Sequence, residues 1–112
     1  MPTKNITSPE FVAGVLSLSA TFFHNNSART ENFGFQVKLA HENRQLLEYI
    51  REVVSIKNDI HTFVEGGTKY VLLNTRSKKT LVNYVIPFMD IYLQGPKLVS
   101  YQTWRQNLLD SI

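Results

Sequence analysis

The chemistry open to this chain rests on few residue types. It has no cysteine, and so no thiolate nucleophile, no Cys-based zinc site and no disulfide framework. Its histidines, His24, His41 and His61, share no metal-ligand spacing, and His24 in its apolar surroundings reads as a core histidine. What remains is a set of polar side chains on alternate positions. Thr21, Phe23, Asn25 and Ser27, then Asn32, Gln36 and Lys38, fall at the period of two expected for one exposed face of a sheet. On such a face Asn and Gln suit adenine, and Lys suits guanine or a phosphate, so these types fit readout of a duplex groove. An ordinary solvated sheet face would alternate in the same way. Thr62, Lys69 and Val71 extend the set onto a second hairpin whose register the sequence leaves ambiguous. Arg76, Lys78 and Lys79 form a basic cluster, able to hold a backbone phosphate or simply to solvate a helix end. Met89, Tyr101 and Trp104 lie at helical spacing and read as core.

The elements that must position these residues fit one domain. A chain of 112 residues supports a single modest core, and 43% hydrophobic residues with seven Phe, five Tyr and one Trp exclude disorder for most of its length. Residues 1–7 are expected to be a polar leader and residues 8–112 the domain, with no internal repeat. The net charge of +3 and a pI near 9.3 permit a nucleic-acid partner without demanding one. No apolar run is long enough to cross a bilayer, and Met1 to Glu10 show neither a signal core nor an arginine-rich presequence, so a soluble protein is expected.

Ser8 and Pro9 open a helix over Pro9–Ser19, as N-cap and first helical residue. It is rich in small residues: Ala13, Gly14, Ser17, Ser19 and the following Ala20 leave a face that another helix backbone can approach closely. Strands are expected over Thr21 to Ser27 and Phe33 to Ala40, with Arg29 to Asn32 as the turn. Leu46, Leu47, Ile50, Val53 and Val54 mark a second helix from about Glu42 to Ser55. Ile56 to Glu65 and Lys69 to Asn74 form a second hairpin around Gly66-Gly67. Ser77 caps a third helix that Pro87 must kink or end, Gly95-Pro96 breaks the chain, and Lys97 to Leu109 form a final helix.

The segment Phe11 to Phe23 resembles the LAGLIDADG motif of homing endonucleases and maturases, with Val12-Ala13-Gly14-Val15-Leu16-Ser17-Leu18-Ser19-Ala20 on the nine motif positions. The element order, helix, two strands, helix, two strands and two helices, is that of one module of the family. Gln45-Leu46-Leu47, the run Val85 to Leu93, and Lys97 followed by Tyr101 and Trp104 resemble the family in register. The resemblance implies an α/β (α+β) module with a four-stranded antiparallel sheet and its helices on one face. It also implies pairing of two modules through Val12, Ala13, Gly14, Leu16, Ser17 and Ala20, as a homodimer or with a second LAGLIDADG chain.

Both acidic positions of the motif depart from the family, with Ser17 and Ser19 in place of the acids, the second of which holds the catalytic divalent metal. Leu39 stands where the family has a polar residue that organises water, and Lys97 keeps the family's basic position. The expected function is therefore a homing-endonuclease relative that binds DNA or structured RNA without cleavage and takes no cofactor. The alternatives are a splicing maturase or a structural subunit of an organellar ribonucleoprotein such as a mitochondrial ribosome, and an active Mg²⁺-dependent endonuclease. By resemblance, the compartment is a mitochondrion or another organelle, with no membrane partner.

Overall fold

The computed structural model describes residues 8–26 and 31–112, so Ser27 and the leader at 1–7 lie outside the described residues. Helix α1 spans Pro9–Ser19, and the Ser8 side chain accepts a hydrogen bond from the Phe11 amide at 3.1 Å, supplying one of the orphan donors of its first turn. The chain passes from α1 into β1 (Ala20–Asn26) without a loop, and β1 pairs antiparallel with β2 (Glu31–Ala40). Asn25 faces Asn32 and Asn26 faces Glu31, so Glu31 and Asn32 belong to the strand and not to the expected turn.

A 3₁₀ turn at His41–Asn43 leads into α2 (Arg44–Val54), which starts two residues later than its apolar periodicity suggests. Ser55 ends α2 in the left-handed conformation at φ 71°, and the Ile56 amide returns to the Arg51 carbonyl at 2.9 Å. That closure, with Arg51 Nη1 donating to the Asn58 carbonyl at 3.2 Å, holds the next residues as a connection, and the strand expected from Ile56 begins only at His61. Strands β3 (His61–Glu65) and β4 (Thr68–Thr75) form a hairpin turned at Gly66 and Gly67, both with positive φ. A left-handed pair in a two-residue turn is where glycine is needed.

Helix α3 runs in three parts, Lys78–Thr80, a π turn at Leu81–Val85, and Ile86–Tyr92. Pro87 explains the interruption. It has no N–H for the Asn83 carbonyl, and just before it the Ile86 amide reaches back five residues to the Leu81 carbonyl. Gly95, at φ 91°, turns the chain into α4 (Lys97–Asp110).

The four strands form one antiparallel sheet in the order β1-β2-β4-β3. Its inner face carries Ala20, Phe35, Val37, Val71 and Leu73, all fully buried beneath Leu16 of α1, Leu47 and Ile50 of α2, Val85 and Met89 of α3, and Tyr101, Trp104 and Leu108 of α4. Phe22 joins this layer with its ring 5.1 Å from that of Tyr101 and 5.0 Å from that of Trp104. Burying each such aliphatic or aromatic side chain is worth roughly 1.5–3 kcal/mol. With the helices gathered on the inner face, the outer face of the sheet stays open.

Candidate nucleic-acid interface

The strand register assigns the described side chains of the sheet to its two faces. Thr21, Phe23 and Asn25 of β1 and Asn32, Gln36 and Lys38 of β2 stand on the outer face, together with Gly34. On the second hairpin the register reverses the expected choice. Gln36 pairs with Asn74, Lys38 with Leu72 and Ala40 with Tyr70, so Tyr70, Leu72 and Asn74 face outward, joined by His61, Phe63 and Glu65 of β3. Thr62, Lys69 and Val71 point to the helix side. Val71 is fully buried, and Thr62 Oγ1 accepts a hydrogen bond from Arg44 Nη1 of α2 at 3.3 Å. The sequence could not resolve this parity, because Tyr70, Val71, Leu72 and Leu73 are all apolar and either alternate pair fits a core. His24 is likewise displaced from its expected place: it is exposed, with its ring stacked on Phe33 at 4.1 Å.

Rings and cations are interleaved on the outer face. Lys38 Nζ donates to Glu65 Oε1 at 2.9 Å and lies 4.5 Å from the Tyr70 ring centroid and 5.7 Å from that of Phe63. The hydrogen bond to Glu65 holds the Lys38 ammonium above its ordinary pKa, so it stays charged throughout the physiological range. Phe63 and Tyr70 stack on each other at 5.5 Å. At the other end of the face, the Arg76 guanidinium lies 5.4 Å from the Phe23 ring. The basic cluster is therefore divided by the sheet. Arg76 leans over the outer face, Lys78 lies 5.9 Å from Phe33 of the inner face, and Lys79 is exposed on α3.

The end of α1 shows what the two serines do. Ser17 Oγ donates to the Gly14 carbonyl at 2.6 Å, and Ser19 Oγ donates to the Val15 carbonyl at 2.8 Å. Both hydroxyl protons are turned back into the helix that carries them. A hard divalent cation needs carboxylate or carbonyl oxygen donors, and the residues present do not fit one. Glu10 lies at the far end of α1, about 14 Å away along the axis. Glu31 lies at the far end of the first hairpin, about 20 Å along the strand. Among the described residues no three His, Asp or Glu side chains gather as a ligand set. Leu39 is half-buried on the inner face against the core, where it cannot meet anything bound on the outer one. Lys97 is half-buried at the start of α4.

The expected module contact also needs correction. Val12, Leu16 and Ala20 have no exposed surface, so these three are committed to the chain's own core, while Ala13, 3% exposed, only edges the groove beside Gly14. What α1 leaves open is Gly14, the half-buried Ser17, Phe11 and Leu18, the last 82% exposed. Glu10, Gly14 and Ser17 border a groove of about 350 Å³ whose other wall is Tyr92, Gln94 and Gly95.

α4 anchors the edge of the sheet. Trp104 Nε1 donates to the Phe23 carbonyl at 3.0 Å across the β1 edge. Tyr101 donates to Asp90 Oδ1 at 2.6 Å, and Arg105 Nε donates to the same carboxylate at 3.0 Å. Burial, and then the Asp90 contact, raise the Tyr101 pKa, so its hydroxyl keeps its proton.

Solved structures share this arrangement. LAGLIDADG homing endonuclease I-GzeII in complex with its DNA target superposes with a TM-score of 0.80 at 21% identity, over 93% of this chain and 37% of that one. LAGLIDADG meganuclease I-CpaMI bound to uncleaved DNA gives 0.75 at 18%, over 93% and 38%. Homing endonuclease I-TnaI gives 0.77 at 17%, over 91% and 71%. This chain thus spans little more than a third of the first two proteins. No curated protein matches the sequence. The LAGLIDADG endonuclease family model matches residues 13–108, from within α1 to near the end of α4. The chain belongs to the LAGLIDADG endonuclease family.

Proposed function

We propose that this chain binds nucleic acid on the outer face of its sheet and does not cut it. The observation that carries the reading is the pair of hydroxyls at the end of α1. Where the family resemblance places the metal-holding acids, Ser17 and Ser19 donate to their own helix carbonyls, and among the described residues no group of three His, Asp or Glu side chains gathers to replace them. The surface used for binding is intact by contrast, with Thr21, Asn25, Asn32, Gln36 and Asn74 set out at period two on an open face. The likeness to I-GzeII and I-CpaMI, each in a complex with DNA, supports a nucleic-acid ligand for this chain. A second copy, or a second module of the family, pairs through the open side of α1 around Gly14. The groove beside it, and the side chains of Phe11 and Leu18 left uncovered, support that contact.

The test is a salt-titrated binding assay with Mg²⁺ present, using DNA duplexes and structured RNA, with the products run on a denaturing gel. The expected result is binding that weakens as salt rises and leaves every strand intact. Mg²⁺-dependent nicking would overturn the reading of Ser17 and Ser19. Absence of binding to either nucleic acid would make the module a packing element docked on protein.

A further inference from the structure

The outer face carries more ring surface than reading of base edges in a groove requires. Edge readout uses amide, guanidinium, ammonium and hydroxyl groups, whereas aromatic faces recognise bases that have left their pairs. Phe23 has the geometry of such a platform. A Cβ built on Gly34 would lie 2.0 Å from Phe23 Cζ and 2.5 Å from both ring carbons next to it. Those distances fit a point almost straight above Cζ, so the ring lies flat on Gly34. Any larger residue at 34 would lift it. One ring face is thus sealed against backbone and the other is turned outward, with the exposed Arg76 guanidinium 5.4 Å from the centroid.

Four to six residues along β2, about 13–20 Å away, a second group repeats the pairing of ring and cation in Phe63, Tyr70 and Lys38. Between the two groups stand Thr21, Gln36 and Asn74, which carry hydrogen-bonding groups for base edges. A flat aromatic over glycine also pins the register of the β1–β2 pair. That role alone calls neither for a cation at the ring nor for a second ring group across the face.

We infer that the outer face takes nucleotides whose bases are unpaired, with Phe23 on its Gly34 seat as the stacking platform and Arg76 closing over the base or gripping its phosphate. The inference rests on the proposed use of this face for nucleic acid and names the ligand class. Arg76 must move outward to admit a base, since contacts of about 3.5 Å on each side need about 7 Å. Its exposed position on the surface allows that movement.

The experiment measures binding of the full chain to labelled RNA and DNA single strands of about twelve nucleotides, and to a blunt DNA duplex of the same sequence, at one salt concentration. The parent is compared with Phe23→Ala, Phe23→Leu and Gly34→Ala. Phe23→Leu keeps an apolar cover on Gly34 but no ring, Gly34→Ala keeps the ring but lifts it, and urea unfolding shows which variants are folded. Expected are single strands bound more tightly than the duplex, and a roughly ten-fold loss of strand affinity in each folded variant, larger than its loss of duplex affinity. The tighter of the RNA and DNA strands names the source of the unpaired bases. A duplex bound more tightly than either strand, or strand affinity unmoved in Phe23→Leu, overturns the inference and leaves the face as a duplex reader. No binding to any of the three overturns the proposed function as well.

Discussion

Gly14→Leu should change the stability of the single chain and of its dimer in opposite directions. A side chain begun at Gly14 meets nothing within 4 Å in the chain itself, so leucine enters open space on α1. Glycine inside a helix costs about 1 kcal/mol relative to good helix formers, and its replacement should therefore stabilise the isolated domain by about 0.5–1 kcal/mol. In a symmetric pair joined through the open side of α1, the same leucine is a wedge, present once on each helix. Overpacking a close contact costs about 1–3 kcal/mol, so a net loss near 2 kcal/mol gives a roughly thirty-fold rise in dimer Kd. Sedimentation across a concentration series measures the Kd, and urea unfolding at a dilution where the chain is monomeric measures the other term. A Gly14→Leu protein that pairs as tightly as the parent would refute the α1 contact, and a parent that is monomeric at every concentration would remove it altogether. A destabilised monomer would show that the space beside Gly14 is filled.

Two further outcomes follow from α4. Trp104→Phe removes the hydrogen bond to the Phe23 carbonyl and part of a ring packed against Phe22 and Tyr101, and urea unfolding should show a loss of about 2 kcal/mol; a loss below 0.5 kcal/mol would mean that the indole does not anchor the β1 edge. Tyr101→Phe should cost about 1 kcal/mol at pH 7, and this penalty should shrink above pH 10. The folded-state pKa of Tyr101 is raised by burial and then by Asp90, so the parent's extra stability is complete below the unfolded value near 10. Above it the unfolded tyrosine ionises while the folded one keeps its proton, and the advantage falls by at most about 1.4 kcal/mol per pH unit. Equal penalties at pH 7 and pH 11 would contradict the buried, protonated hydroxyl.

Where a local rule acts strongly, the elements were legible from residue order alone. Ser8-Pro9 marked the start of α1, Gly66-Gly67 the β3–β4 turn and Gly95-Pro96 the break before α4, each through backbone chemistry that needs no neighbour. The alternation from Phe33 to Ala40 placed Gln36 and Lys38 outward because only one of its two phases is apolar. In β4 the Tyr-Val-Leu-Leu run is apolar in both phases. Its facing was decided by pairing with β2, which sent Val71 inward and brought Tyr70 and Phe63 onto the open face.

Tertiary structure also decided which side of α1 is free. A face poor in side-chain volume suits contact with this chain's own core as well as with a partner's helix, and packing buried Ala13 while leaving the space beside Gly14 open. It likewise set Arg76 and Lys78, only two residues apart, against rings on opposite faces of the sheet, because β4 ends at Thr75 and the helix capped by Ser77 carries Lys78 out of the strand's alternation. The seat of Phe23 on Gly34 joins residues 11 apart through strand register, a relation that exists only once the hairpin is closed. Residue order alone thus determined the local elements and the phase of β2. Long-range pairing and packing decided the rest, because they choose among faces that local chemistry leaves equivalent.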